Sequence, residues 1–241
     1  MEAPSRIRRV GPTFDSYVLV VDRKVTVIDA ALPEHWDLLL DVLEKMGPSI
    51  GDVEAIILTH AHADHIGFAE RLRRTVGAKV WVHEADLERT RRIGTPSWGF
   101  LINIWRPFVI RLAVEALRSG LHKTPRIEQV ETFRDGEKLD VPGNPLVIHT
   151  PGHTEGHCAF YLPAHRVLFT GDALLTINPL TGEHSAPRVP YRHSNIDAHQ
   201  AHQSIEKLCG LGEALVLPGH GEPWKGDMAT AVRGAQDRRL L

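Results

Sequence analysis

Cysteine is nearly missing from this chain: Cys158 and Cys209 are the only two in 241 residues, and neither belongs to a CxxC pair. A disulfide framework is therefore excluded, and a reducing compartment, the cytoplasm, is the expectation. An excess of charge of one sign is missing as well. Lys+Arg total 28 against 30 Asp+Glu, a formal net charge of -2, which gives no overall pull toward nucleic acid or an anionic membrane. The arginine groups at Arg6, Arg8 and Arg9 and at Arg71, Arg73 and Arg74 read as solvated surface. Residues 1–10 hold arginines but no apolar stretch of the kind that marks a secretory signal. No internal repeat or low-complexity linker divides the chain, and 42% hydrophobic residues supply one large core. Residues 1–241 are expected to form a single α/β domain.

An uninterrupted hydrophobic run is also lacking. The greasiest stretch, Pro96 to Gly120, contains Trp98, Phe100, Trp105 and Phe108, but Asn103, Arg106, Arg111, Glu115 and Arg118 interrupt it. A membrane-spanning helix needs about 20 mostly apolar residues, so no span is expected. Pro107 suits the first turn of a new helix, and the segment reads as a helical insertion. It is either packed on the core, a lid over an active site or a homodimer contact.

Strand and helix patterns interleave over the rest. Ser16 to Val21 and Val25 to Ala30 are β-rich runs joined as a hairpin by Asp22-Arg23-Lys24. Pro33 to Met46 has helical spacing and stops at Gly47. Further strands are expected at Val53 to Leu58, Ala78 to His83, Gln129 to Phe133, Leu146 to His149, Cys158 to Leu162, Val167 to Thr170 and Ala214 to Leu217. Helices are expected at His65 to Val76, Glu84 to Arg92 and Ile196 to Leu208.

Histidine, by contrast, is abundant, with 15 in the chain, and it clusters. His60-Ala61-His62-Ala63-Asp64-His65 follows the strand Val53 to Leu58 and places four metal-binding side chains in six residues. In an extended loop, residues two apart point the same way, so His60 and His62 can grip one ion while Asp64 and His65 face a second. One loop cannot close two coordination shells. Three distant residues stand in matching settings, each after a strand and beside glycine: His153, Asp172 and His220. His83, His149 and His157 read as hydrogen-bonded structural histidines.

These motifs, in this order and over nearly the whole chain, resemble the metallo-β-lactamase superfamily. The resemblance implies a four-layer αββα sandwich with a metal site at one edge of its two sheets. It implies that His60, His62 and His153 hold one metal, that Asp64, His65 and His220 hold the other, that Asp172 bridges them and that Asp29 orients the loop from behind. Such a ligand set suits two Zn2+, with iron or manganese accepting the same donors. Two ions about 3.5–4 Å apart can share a hydroxide able to attack a carbonyl carbon. The expected enzyme is a metallo-hydrolase acting on an ester, lactone, thioester or amide of a small molecule with a hydrophobic portion, and Asp64 is the expected catalytic residue. Trp98, Trp105, Tyr191 and His193 are candidate substrate contacts.

Departures from the family's branches narrow the reading. His62 replaces the glutamate of the flavoprotein branch, and 241 residues are too few to hold the large extra domain of the RNA-cleaving and DNA-repair branches, so neither branch is expected. Thr150 to His157 looks most like the glyoxalase II and lactonase type. A β-lactamase, a mononuclear iron dioxygenase acting on a persulfide, and a metal-binding regulatory module without turnover remain as alternatives.

Overall fold

Strands that are apolar on both faces need cover on both sides, and the chain supplies it with two stacked sheets and an outer layer of helices on each. The computed structural model describes residues 7–11, 13–92 and 102–238. Its first sheet holds six strands in chain order, β1 (Ile7–Val10), β2 (Ser16–Val21), β3 (Lys24–Ile28), β4 (Val53–Ile57), β5 (Lys79–His83) and β6 (Glu131–Phe133). β1 to β3 pair antiparallel and β3 to β6 parallel. Parallel neighbours need crossovers. The first two contain α1 (Trp36–Met46) and α2 (Ala69–Val76), and the third contains α3 (Leu87–Thr90) and α4 (Pro107–Arg118).

The second sheet is built from β7 (Leu146–His149), β8 (Cys158–Leu162), β9 (Val167–Gly171), β12 (Glu213–Pro218) and β13 (Trp224–Asp227), in the order β13-β12-β9-β8-β7. Between β9 and β12 the chain forms a two-stranded ribbon, β10 (Leu175–Ile177) with β11 (His184–Arg188), and then α5 (Ala198–Ser204); α6 (Met228–Gln236) follows β13. The two-residue side-chain period of a strand sorts the core. Tyr17, Leu19 and Ile57 of the first sheet meet Phe160, Phe169 and Leu217 of the second in a shared inner core. Their sequence neighbours Val18 and Ile56, and Ala159, Leu168 and Val216, pack toward the outer helices instead. The fold is the expected αββα sandwich.

Several expected boundaries shift, for visible reasons. The hairpin turns on Asp22 and Arg23 alone, both at positive φ, so Lys24 already belongs to β3. The helix expected from His65 begins only at Ala69. Residues 65–68 are tied to the end of the first hairpin, because the His65 carbonyl accepts from Ala30 N–H while Gly67 and Phe68 N–H donate to the Ala31 and Ala30 carbonyls. Gly67 lies so near that a Cβ there would stand 2.4 Å from Leu32 Cα, a contact only glycine avoids. Ile196 to Leu208 splits into α5 and a 3-10 segment, and Glu84 to Arg92 into a 3-10 turn and the short α3.

Pro107 does open α4 at its first turn. α4 leaves Ile110, Val114 and Leu117 exposed on its outer face. Trp98 and the rest of the segment up to residue 101 lie outside the described residues. Among the described residues, no helix is long and apolar enough to cross a membrane.

Candidate metal centre

All seven candidate ligands follow the ends of strands at one edge of the sandwich. His60, His62, Asp64 and His65 follow β4, His153 follows β7, Asp172 follows β9 and His220 follows β12. Side chains far apart in sequence thus converge. His60, His62 and His153 form one three-donor group, Asp64, His65 and His220 another, and His60, His65 and Asp172 a third between them, with the donor atoms of each group within 4.8 Å of one another.

The hydrogen bonds around the cluster fix which ring nitrogen each histidine presents. His65 Nδ1 donates to Asp29 Oδ2 at 2.9 Å, and His220 Nδ1 donates to the Thr13 carbonyl at 2.8 Å. Asn195 uses its amide N–H groups on the Pro190 and Tyr191 carbonyls, which leaves its Oδ1 to accept from His153 Nδ1 at 3.1 Å. Thr59 Oγ1 donates to Asp29 Oδ2 at 2.8 Å and so accepts from His60 Nδ1 at 3.1 Å. Each of these four rings therefore turns its Nε2 inward. Asp29 sits at φ 60, a left-handed conformation that aspartate tolerates, and its other oxygen accepts from Thr59 N–H at 2.7 Å.

The chemistry of this donor set fits a cation. His60 Nε2 and His153 Nε2 each lie 3.0 Å from His62 Nδ1. His62 has one Nδ1 proton at most and cannot satisfy both lone pairs, whereas a cation satisfies all three nitrogens. His65 Nε2 and Asp172 Oδ1 are buried and lack a hydrogen-bond partner among the described residues, a condition that costs about 1–3 kcal/mol per group unless something pairs with it.

Electrostatics divides the cluster in two. Burial, reinforced by the His153 ring, pushes His62 down to about 3. Burial and neighbouring imidazoles hold His60 well below the usual histidine range, and burial also lowers His153. Burial would lower His65 and His220 too, but the carboxylates outweigh it: Asp29, Asp172 and Asp64 raise His65 to about 9, and Asp172, Asp64 and the Thr13 carbonyl raise His220 to about 10. Burial pushes the Asp64 carboxyl up, but the His65 and His220 rings prevail and hold it well below the ordinary carboxylate range. Without an ion, one half of the centre is neutral imidazole and the other is a network of imidazolium and carboxylate.

A cavity of about 350 Å3 opens over this edge. Asp64, His153, Asp172 and His220 line it, together with Phe108 and Leu112 of α4 and Leu175 and Ile177 of β10. Tyr191 also lines it. Trp105 and His193 are not among its lining residues; Trp105 is 68% exposed and packs its ring on Arg106, while His193 meets Tyr191 at a tilt. His157 is buried, accepts from Asp172 N–H at Nε2 and so donates to Thr150 Oγ1 from Nδ1. His83 and His149 stack 4.1 Å apart, away from the cluster. Sequence reasoning missed Asn195 and Thr13, whose roles depend on chain folding back, and Asp86, whose side chain reaches the loops of His60 and His153. Nothing in their local spacing distinguishes them.

A family model described as the metallo-beta-lactamase superfamily matches residues 12–220. The chain is similar to the probable metallo-hydrolase YflN of Bacillus subtilis (strain 168), 27% identical over 211 residues that cover 83% of this chain and 76% of that protein. It is similar to the uncharacterized protein ML0493 of Mycobacterium leprae (strain TN), 33% identical over 171 residues, covering 69% of this chain and 68% of the relative. Among solved structures it resembles TTHA1623 in a di-iron-bound form, with a TM-score of 0.63 and 26% identity over 94% of this chain and 96% of that one. It also resembles the metallo-beta-lactamase family protein TTHA1429 from Thermus thermophilus, with a TM-score of 0.64 and 26% identity over 96% and 78% of the two chains.

Proposed function

The chain belongs to the metallo-β-lactamase superfamily, and from that premise we propose that it is a dinuclear zinc hydrolase of small-molecule esters, lactones, thioesters or amides. The observation that carries this reading is the placement of Asp172. Its Oδ1 lies 3.5 Å from His65 Nε2, and its Oδ2 lies 3.4 Å from His153 Nε2 and 3.6 Å from His220 Nε2. A carboxylate shared between two ions needs donors of both groups around it. His60, His62 and His153 would hold one ion, and Asp64, His65 and His220 the other, with Asp29 fixing the ring of His65.

Bound ions of this kind lower the pKa of water to about 7 and polarise the bond under attack. The chain's own contribution is orientation and proton handling. Asp64 lines the cavity as an ionised carboxylate, and its catalytic role in this reading is to hold an ion and orient the attacking water beside the substrate. Cys158 is unsuited to covalent catalysis, because burial pushes its thiol well up and it lies in the inner core. Phe108, Leu112, Leu175 and Ile177 give the cavity an apolar surface for an acyl chain or similar group, and Tyr191 would touch the substrate.

Metal analysis of the purified protein is expected to find two zinc equivalents per chain, with turnover of a lactone or thioester in a panel that also holds β-lactams and phosphodiesters. One iron per chain with oxygen consumption would overturn the proposal, and bound metal without turnover of any row would favour a binding module. The di-iron form of one similar protein makes iron the second metal to assay. Phe108→Ala and Leu112→Ala are each expected to raise KM about tenfold for substrates with an apolar chain, from roughly 1.5 kcal/mol of lost contact, with kcat held. Unchanged KM values for every chain length would remove α4 from the substrate site.

A further inference from the structure

The turn after β5 carries none of the candidate ligands, yet it touches both loops that supply the three-histidine group. Its Asp86 is fully buried. Asp86 Oδ2 accepts from Ala61 N–H at 3.0 Å and from the Thr154 hydroxyl at 2.7 Å, and Oδ1 accepts from Gly156 N–H at 2.9 Å. Ala61 lies between His60 and His62, and Thr154 follows His153. One carboxylate thus joins the two loops at points adjacent to all three ring donors.

The approach is close as well as bonded. A Cβ at Gly156 would stand 2.6 Å from Asp86 N, so the loop and the turn meet backbone to backbone. Arg89 of α3 reinforces the join, 3.6 Å from Asp86 Oδ1 and 2.9 Å from Glu155. Although Asp86 occupies the N-cap position of α3, its side chain caps nothing there; it is turned to the loops instead. Hydrogen bonds to an ionised acceptor are about twice as strong as neutral ones, which suits a carboxylate here better than an amide.

We propose that Asp86 is a positioning residue for the three-histidine group alone. It sets the separation of His60 and His62 from His153, and with it the affinity of that group for metal. The Asp64, His65 and His220 group is held by other contacts, those of Asp29 and the Thr13 carbonyl, and does not depend on Asp86. The inference rests on the ligand assignment proposed above.

Zinc dissociation constants for the wild type, Asp86→Asn and Thr154→Val, measured by chelator competition, test it, with cobalt substitution to report through its visible spectrum which group is filled. Asp86→Asn is expected to weaken the three-histidine equivalent by about 10–100-fold and to leave the other within about twofold. Thr154→Val, which removes one bond to the same carboxylate, is expected to weaken the same equivalent by a smaller factor, and it decides the matter if Asp86→Asn does not fold. A purely structural role would lower the unfolding temperature of the metal-free protein and leave both constants unchanged. That result, or equal weakening of both equivalents, overturns the positioning role while two ions in the wild type uphold the ligand assignment. A wild type that binds no metal overturns both.

Discussion

Asp172→Ala is expected to lower kcat/KM by more than about a hundredfold, beyond the 10–100-fold that loss of a supporting residue costs, and to release at least one of the two metal equivalents. The side chain faces donors of both groups, so its removal is felt on both sides. Asp64, by contrast, faces His65 and His220, so Asp64→Ala is expected to release one ion and most of the activity while the three-histidine group keeps its own. Neither carboxylate belongs to the apolar clusters, and the far-ultraviolet circular dichroism of both variants should match the parent. Metal analysis beside steady-state kinetics distinguishes them. An Asp172→Ala protein that retained two ions and the parental rate would end the shared-carboxylate reading.

The second large effect is linked to protons. A histidine must lose its proton before it binds a metal. Near neutral pH, His60, His62 and His153 are already neutral, because burial lowers all three. His65 and His220 still carry theirs, with pKa values raised to about 9 and about 10. Filling the three-histidine group is therefore expected to release almost no protons, and filling the other about two, so that affinity there falls by up to about a hundredfold per pH unit below about 9. Calorimetric titration with zinc in buffers of different ionisation enthalpy counts these protons directly. Equal release in both steps would contradict the charge division of the centre.

The same shifts set the sign for the metal-free protein. A histidine whose folded pKa is raised gives stability that is complete below its unfolded value of about 6.5 and is lost as pH rises through the folded value. His65 and His220 should thus make metal-free protein less stable as pH climbs toward about 9 and about 10.

Sequence and structure agree best where a local pattern has a local cause. Cys158–Leu162 and Leu146–His149 appear as strands with the expected bounds, because β-rich composition and flanking turn residues mark a buried strand without help from the rest of the chain. β13 and β11 escaped notice. Trp-Lys-Gly-Asp and His-Ser-Ala-Pro-Arg lack strand character, and they are strands only because β12 and β10 offer them an edge. The helix expected from His65 failed for a similar reason: backbone contacts with Ala30 and Ala31 outweigh its helical spacing. The candidate ligands, which the fold brings together, were legible from type and neighbourhood. Their supports were less so, since Thr13, Asn195 and Asp86 act through contacts 25 to 207 positions away.

The ligand loops leave the two sheets separately, one from β4 in the first sheet and three from β7, β9 and β12 in the second. An ion held among them would act as a rivet between two stacked plates. Near the same edge the plates are already stitched by the Cys158 N–H on the Thr59 carbonyl and the Tyr17 hydroxyl on the Pro218 carbonyl. The alignment of the plates then becomes part of the coordination geometry. A change of side-chain volume at Phe169 or Leu217, buried between the sheets, would then be felt at the site as a shift of one plate against the other.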